Sequence, residues 1–180
     1  MTPERFPDAV AGTFEPPPVE FEDREGRPIE VRAYDGTDAE HDALARMYDD
    51  FDPADRAQGI PPSRPEKVRE WLESILGGDC FNVIAWHGDE VAGHATLVPD
   101  EDAYELAIFV HQEYQEAGIG TRLIKALLGY GQQEDIEKVW LTVERWNRAA
   151  VALYKKIGFE TTNAESFELE MALRLNEDGE

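Results

Sequence analysis

The stretch Gln115-Glu116-Ala117-Gly118-Ile119-Gly120-Thr121 follows the apolar run Leu106 to Val110 and opens an apolar-periodic segment at Arg122. A strand, a glycine turn and a helix in that order leave the N–H groups of a helix start unpaired, where an anion can sit. Gly118 and Gly120 carry no Cβ, so a phosphate can approach the main chain closely. The chemistry this predicts is the cradling of a phosphorylated ligand. It is not a Walker loop, because no Lys follows the glycines. A dinucleotide fingerprint would need a third glycine three residues after Gly120, where Leu123 stands.

The pattern that fits is Gln/Arg-x-x-Gly-x-Gly/Ala. Some 27 residues beyond Gly120 comes a second pattern, Asn147-Arg-Ala-Ala-Val-Ala-Leu-Tyr154-Lys-Lys-Ile-Gly158-Phe159, with a strand-like Val139–Val143 between the two. In order and spacing this pair resembles the acyl-CoA pyrophosphate loop and the second motif of the GNAT acetyltransferase superfamily. The resemblance is specific over Tyr104–Glu160 and extends from Ile29 to Leu175; the first 28 residues take no part in it.

The resemblance implies a site. Backbone N–H groups of Gln115, Glu116, Ala117, Gly118, Ile119, Gly120 and Thr121 would hold the pyrophosphate of acetyl-CoA, with the Gln115 side chain bracing the loop. The main chain of Ile108, Phe109 and Val110 would pair with the pantetheine arm like an added strand. That pairing needs Val139–Val143 to splay away and leave an open edge, and it sets an N–H near Ile108 toward the acetyl oxygen. Contacts from the second motif fall to Asn147 and Ala150, although Asn147 equally serves as the cap of its helix.

The implied reaction is direct attack of a primary amine on the thioester, without an acyl-enzyme. The cofactor must be anchored, the oxyanion stabilised, the ammonium deprotonated and the thiolate protonated. Tyr154 takes the place of the general acid, since a phenol of pKa about 10 stays protonated at neutral pH; a packed core aromatic is its other reading. The base stays open. The family's two glutamate positions align here with Tyr104 and Thr142, so Glu105 and Glu144 come next in that order. Glu105 would reach the site if its strand carries a bulge, which reverses side-chain parity. Glu144 shares the strand face of Thr142, and a water chain is a further alternative. His111 titrates suitably but lies at the pyrophosphate end. A non-catalytic acyl-CoA-sensing module would retain the loop and lack a base.

At 180 residues and 20.3 kDa the chain suits one domain with a sizeable core. Carboxylates outnumber Lys and Arg by 39 to 17, for a net charge of −22. A surface so acidic on a well-patterned sequence resembles proteins of salt-loving archaea, where screening weakens self-repulsion. Between Gly118 and Lys156 the balance reverses to net +3, through Arg122, Lys125, Lys138, Arg145, Arg148, Lys155 and Lys156. That suits a compact polyanion such as CoA, whereas DNA or RNA would need a broader basic surface. The single cysteine, Cys80, excludes an intrachain disulfide and a thiolate cluster, and the four scattered His give no ligand pair, so no metal is expected. Without a signal-like or membrane-spanning apolar run the expected location is cytoplasmic, with no membrane partner. The acceptor is an amine of a small molecule or a protein, and the assembly a monomer or homodimer.

These residues need a scaffold. Residues 1–28, with Pro16-Pro17-Pro18, are read as an extended N-terminal arm, and 29–176 as the acetyltransferase domain. Strands are expected at Ile29–Tyr34, Phe81–Trp86, Glu90–Val98, Tyr104–His111, Glu137–Val143 and Phe167–Leu175. Helices are expected from Thr37 or Asp38 to about Asp50, Pro65 to Leu76, Gly118–Tyr130 and Asn147–Ile157, the last ended by Gly158. Phe51–Pro65 reads as a loop, either near the acceptor or a plain connector. The fold class is α/β (α+β), the GNAT arrangement: a mixed, mostly antiparallel sheet of six to seven strands flanked by four helices.

Overall fold

Strand β3 (Phe81–His87) is buried on both faces over residues 82–86, and the two layers of the fold follow from it. Val83 and Ala85 point into one hydrophobic cluster, Ile84 and Trp86 into another. The computed structural model describes residues 3–52, 62, 64–165 and 167–177. Eight strands form one sheet in the order β1-β2-β3-β4-β5-β6-β8-β7. The others are β1 (Val19–Glu22), β2 (Pro28–Ala33), β4 (Glu90–Asp100), β5 (Ala103–Val110), β6 (Lys138–Glu144), β7 (Glu160–Asn163) and β8 (Glu168–Arg174). Every neighbouring pair is antiparallel except β5 with β6.

Helices α1 (Asp38–Asp49) and α2 (Pro65–Leu76) cover one face, where Leu44, Met47, Tyr48, Val68 and Leu72 meet Ile84 and Trp86. Helices α3 (Ile119–Gln133) and α4 (Arg148–Ile157) cover the other, with Leu123, Leu127, Tyr154 and Ile157 against Leu97, Leu106, Leu141 and Met171. The helix starts obey local chemistry. Thr37 caps α1 by accepting from Glu40 N, Pro65 opens α2, and Asn147 caps α4. A buried polar chain pins α1 and α2 to the sheet. Asn82 Nδ2 donates to Ile75 O at 2.8 Å, so its Oδ1 accepts from His94 Nε2 at 2.7 Å. His94 Nδ1 must then accept from the Tyr48 hydroxyl, also at 2.7 Å. Burial lowers the His94 pKa to about 3, so the imidazole stays neutral.

The sheet has eight strands where the sequence pattern leads to six or seven. Neither β1 (VEFE) nor β7 (ETTN) carries a periodic run long enough to register, and each is an edge strand defined by its partner. The described part of the first 28 residues runs along the domain. Val10 bridges Arg174, and Phe14 N donates to Gln132 Oε1 at 2.9 Å. A Cβ on Gly129 of α3 would stand 2.5 Å from Glu15 O, so only glycine admits this crossing. Of the loop expected at Phe51–Pro65, residues 53–61 and 63 lie outside the described residues.

Candidate active site

Strands β5 and β6 pair at two positions, Tyr104↔Val139 and Glu105↔Trp140, although β5 continues to Val110 and β6 to Glu144. Beyond Glu105 the strands diverge, and no strand among the described residues pairs with the β6-facing edge of residues 106–110. This is the open edge that an extended ligand arm requires. The opening leads to the C-terminal end of β5, where a 3₁₀ turn (Gln112–Tyr114) and the glycine loop follow.

The loop is held from within. Gln115 Nε2 donates to Val110 O at 3.0 Å, so its side chain braces the turn back onto β5. Gly118 takes the left-handed conformation (φ +86°) and is the N-cap of α3, with no side chain capping the helix. The first-turn N–H groups of Ile119, Gly120 and Thr121 therefore remain available to an anion, and the helix dipole favours one. Gly120 lies over the strand, 3.8 Å from both Ile108 Cδ1 and Val110 Cγ2 as measured from where its Cβ would be. Glu116 and Ala117 complete the loop, Glu116 with φ +59° and Ala117 buried.

Alternation along β5 divides the remaining residues between two faces. Leu106, Ile108 and Val110 face α3 and α4, as does Tyr104, whose ring packs 5.8 Å from that of Phe81. Tyr154 and Ala150 of α4 belong to that same side. The Tyr154 ring is buried edge-on against Phe159 at 5.8 Å, and its hydroxyl has no hydrogen-bond partner among the described residues. Burial pushes its pKa up to about 12, so it holds its proton firmly. Asn147 is engaged as a cap, its Oδ1 accepting from Ala150 N at 3.3 Å.

Phe109 points to the opposite face, into an aromatic cluster with Tyr48 at 5.7 Å and Trp71 at 5.3 Å. Glu105 shares that face. The bulge that would have turned it is absent: the β4–β5 register runs unbroken from Asp100↔Ala103 to Gly93↔Val110. Burial raises the Glu105 pKa, and the Asp100 and Glu168 carboxylates raise it further. Glu144 lies on the same face at the far end of β6, opposite Glu168 of β8. It stands four positions along β6 from the Glu105↔Trp140 pair, about 13 Å of rise, so the two carboxylates are not brought together. Thr142, between them on β6, is exposed.

Glu144 instead lines a cavity of about 1190 Å³ with Arg145, Trp146, Arg148, Glu165, Phe167 and Glu168. Trp146 and Phe167 are 76% and 93% exposed there, the two largest exposed aromatics among the described residues. His111 is occupied elsewhere. Its Nδ1 accepts from Glu113 N at 3.2 Å, which leaves Nε2 to donate to Asp50 at 2.9 Å and tie the end of α1 to the loop. Sequence reasoning missed Trp146, between β6 and α4, and read Phe167 only as the first residue of the last strand, which begins instead at Glu168. It also missed Arg24, whose backbone N donates to Ala117 O of the loop at 3.0 Å.

A parallel pair that parts after two pairings and an uncapped glycine turn at a helix start thus meet at the C-terminal end of β5 in an α/β sandwich. The chain belongs to the acetyltransferase (GNAT) family, whose model matches residues 44–159. Among curated proteins it is 33% identical over 73 residues to the [ribosomal protein bS18]-alanine N-acetyltransferase of Escherichia coli (strain K12), covering 41% of this chain and 49% of that protein. The chain thus spans about half the length of the curated relatives it matches. The GNAT domain of S. lividans PAT superposes with a TM-score of 0.74 at 15% identity, over 88% of this chain and 97% of that one. The yncA protein of Salmonella typhimurium, solved with its cofactor acetyl-CoA, superposes with a TM-score of 0.65 at 19% identity, over 84% and 96%. These two likenesses establish the fold.

Proposed function

We propose that this protein is an acetyl-CoA-dependent N-acetyltransferase in which a primary amine attacks the thioester directly in a ternary complex. The observation that carries this reading is the divergence of β5 from β6 beside the uncapped turn at Gly118–Thr121. The loop N–H groups hold the pyrophosphate, the free edge of Ile108, Phe109 and Val110 pairs with the pantetheine arm, and Ala150 and the Asn147 cap flank it from α4. A main-chain N–H near Ile108 stabilises the developing oxyanion. As the new C–N bond forms and the C–S bond breaks, the Tyr154 hydroxyl gives its proton to the departing sulfur.

The amine's own proton leaves toward the opposite face. Glu105 is the favoured acceptor of that proton, reached through water because its side chain lies on the face away from Tyr154, and burial raises its pKa above the ordinary carboxyl value. Glu144 is the second choice, at the mouth of the aromatic-walled cavity. Cys80 supports the absence of an acyl-enzyme: burial and then Asp79 raise its pKa, which keeps it a thiol. The acceptor class is an amine of a protein, as in the bS18-alanine enzyme's name, or of a small molecule, as in that of the spermidine N(1)-acetyltransferase of Escherichia coli. Among the described residues no helix is long and apolar enough to cross a membrane. We assign the protein to the cytoplasm as a monomer or homodimer, with residues 29–176 as the catalytic domain, 1–28 as its arm and the acidic surface as an adaptation to salt.

The test is release of free CoA from acetyl-CoA across a panel of amines, from N-terminal peptides to polyamines. Turnover with at least one amine is expected. Tight CoA binding with no turnover on any of them would favour a non-catalytic acyl-CoA sensor instead.

A further inference from the structure

The turn between β1 and β2, residues 23–27, lies outside the segment matched by the family model and packs against the glycine loop. Asp23 is its buried centre. Its carboxylate accepts from Glu25 N at 3.0 Å, Arg27 N at 2.9 Å and Arg27 Nε at 2.7 Å. Burial raises the Asp23 pKa, but these donors outweigh it and hold the carboxyl below its ordinary range. Three contacts then fasten the turn to the loop. Arg27 Nη1 donates to Glu113 O at 3.1 Å, the Arg27 guanidinium lies 4.4 Å over the Tyr114 ring, and Arg24 N donates to Ala117 O at 3.0 Å. On the flank, Arg122 of α3 lies 5.0 Å over the Phe21 ring of β1.

The Arg24 side chain takes part in none of these bonds. It is exposed and forms no ion pair among the described residues, in a chain with 39 carboxylates for 17 Lys and Arg. Its Nε stands 3.8 Å from where a Cβ on Gly118 would be. Gly118 is the residue that opens α3 without a side-chain cap, so a guanidinium with its donor fork lies beside the N-cap of this helix. We propose that Arg24 closes over this turn from outside and binds the diphosphate of acetyl-CoA, opposite the N–H groups of α3; this rests on the acetyl-CoA reading above. Asp23 and Arg27 act as positioning residues, fixing the backbone from which Arg24 projects.

Calorimetric Kd values for CoA and dephospho-CoA, which keeps the diphosphate and lacks the 3′-phosphate, test this in wild type, Arg24→Gln and Arg24→Lys. Arg24→Gln is expected to weaken both ligands alike, by roughly tenfold, the size of one charge-assisted pair. Arg24→Lys should recover part of the loss, since it keeps the charge without the fork. Both variants should melt with the wild type, because the side chain supports nothing in the fold. Unchanged affinity in Arg24→Gln would overturn the proposal, and so would a loss confined to CoA, which would move the contact to the 3′-phosphate. A wild-type protein that binds neither ligand removes the acetyl-CoA reading and the proposal together, a failure distinct from the other two.

Discussion

Replacing Gly120 with Asp separates the phosphate site from the fold, because the two respond in opposite directions. A Cβ at Gly120 meets only Ile108 Cδ1 and Val110 Cγ2 at 3.8 Å, ordinary contact that requires nothing to move. The residue is the second of α3, where an acidic side chain favours the helix dipole by about 0.3–1 kcal/mol, and loss of glycine from the helix adds a similar gain. The unliganded variant should therefore melt at or slightly above the wild-type temperature. On the proposed reading the same carboxylate stands where the pyrophosphate would lie. One pair of like charges about 4 Å apart costs between roughly 1 kcal/mol at the dielectric of water and roughly 4 kcal/mol at the effective value near a protein surface. The dissociation constant for CoA should therefore rise by about fivefold to several hundredfold. Titration calorimetry with CoA, alongside a melting curve, reads both effects. A folded Gly120→Asp protein with wild-type affinity would refute the placement of the diphosphate at this turn.

Tyr154→Phe keeps the ring against Phe159 and deletes the proton, so turnover should fall about 10²–10⁴-fold with CoA affinity and melting temperature nearly unchanged. Tyr154→Ala should also destabilise the fold by about 3–5 kcal/mol through the cavity it leaves; full activity in the Phe variant would demote Tyr154 to packing. Glu105 has a folded pKa raised above its unfolded one, so its contribution is complete below the ordinary carboxyl pKa and is lost as pH rises through the folded value. Glu105→Gln should accordingly melt higher than wild type at neutral pH, with the gap closing at acid pH, while turnover falls; higher activity at pH 7 would exclude Glu105 as the base. The net charge of −22 should make the melting temperature climb between low and molar KCl, where the Debye length shrinks to about 3 Å. A flat profile would remove the salt-adaptation reading.

Local chemistry made most of the scaffold legible. Thr37 or Asp38, Pro65, and Asn147 with Gly158 announce helix ends because caps act within a few residues of chain, and the structure selects Thr37. The glycine loop and the Asn147–Phe159 motif are local in the same sense. What stayed hidden depends on distant partners. Val19–Glu22 is a strand because β2 lies beside it, and Glu160–Asn163 because β8 does. Glu105 illustrates a different limit: its face depends on whether β5 keeps register with β4 over eight pairs, which no single strand's sequence records. Arg24 lies more than ninety residues before the loop it touches, in a segment whose charge and prolines resemble a solvated tail.

The clasp between Val10 and Arg174 has a consequence for how the chain acquires its shape during synthesis. Arg174 Nε donates to Pro7 O, and Ala11 N to Arg174 O, both at 2.8 Å, across more than 160 residues of chain. Closing so long a loop adds little to the equilibrium cost, which grows only with the logarithm of length. In time, however, it is a late event, because contacts of high sequence separation form slowly. Until β8 leaves the ribosome, β6 lacks its antiparallel neighbour and the core lacks Leu169, Met171 and Leu173. A nascent chain stalled before residue 168 would therefore expose the bare edge of β6 and carry an unfastened leading segment. Strand β8 is thus the element that both pairs with β6 and β7 and fastens residues 7–11.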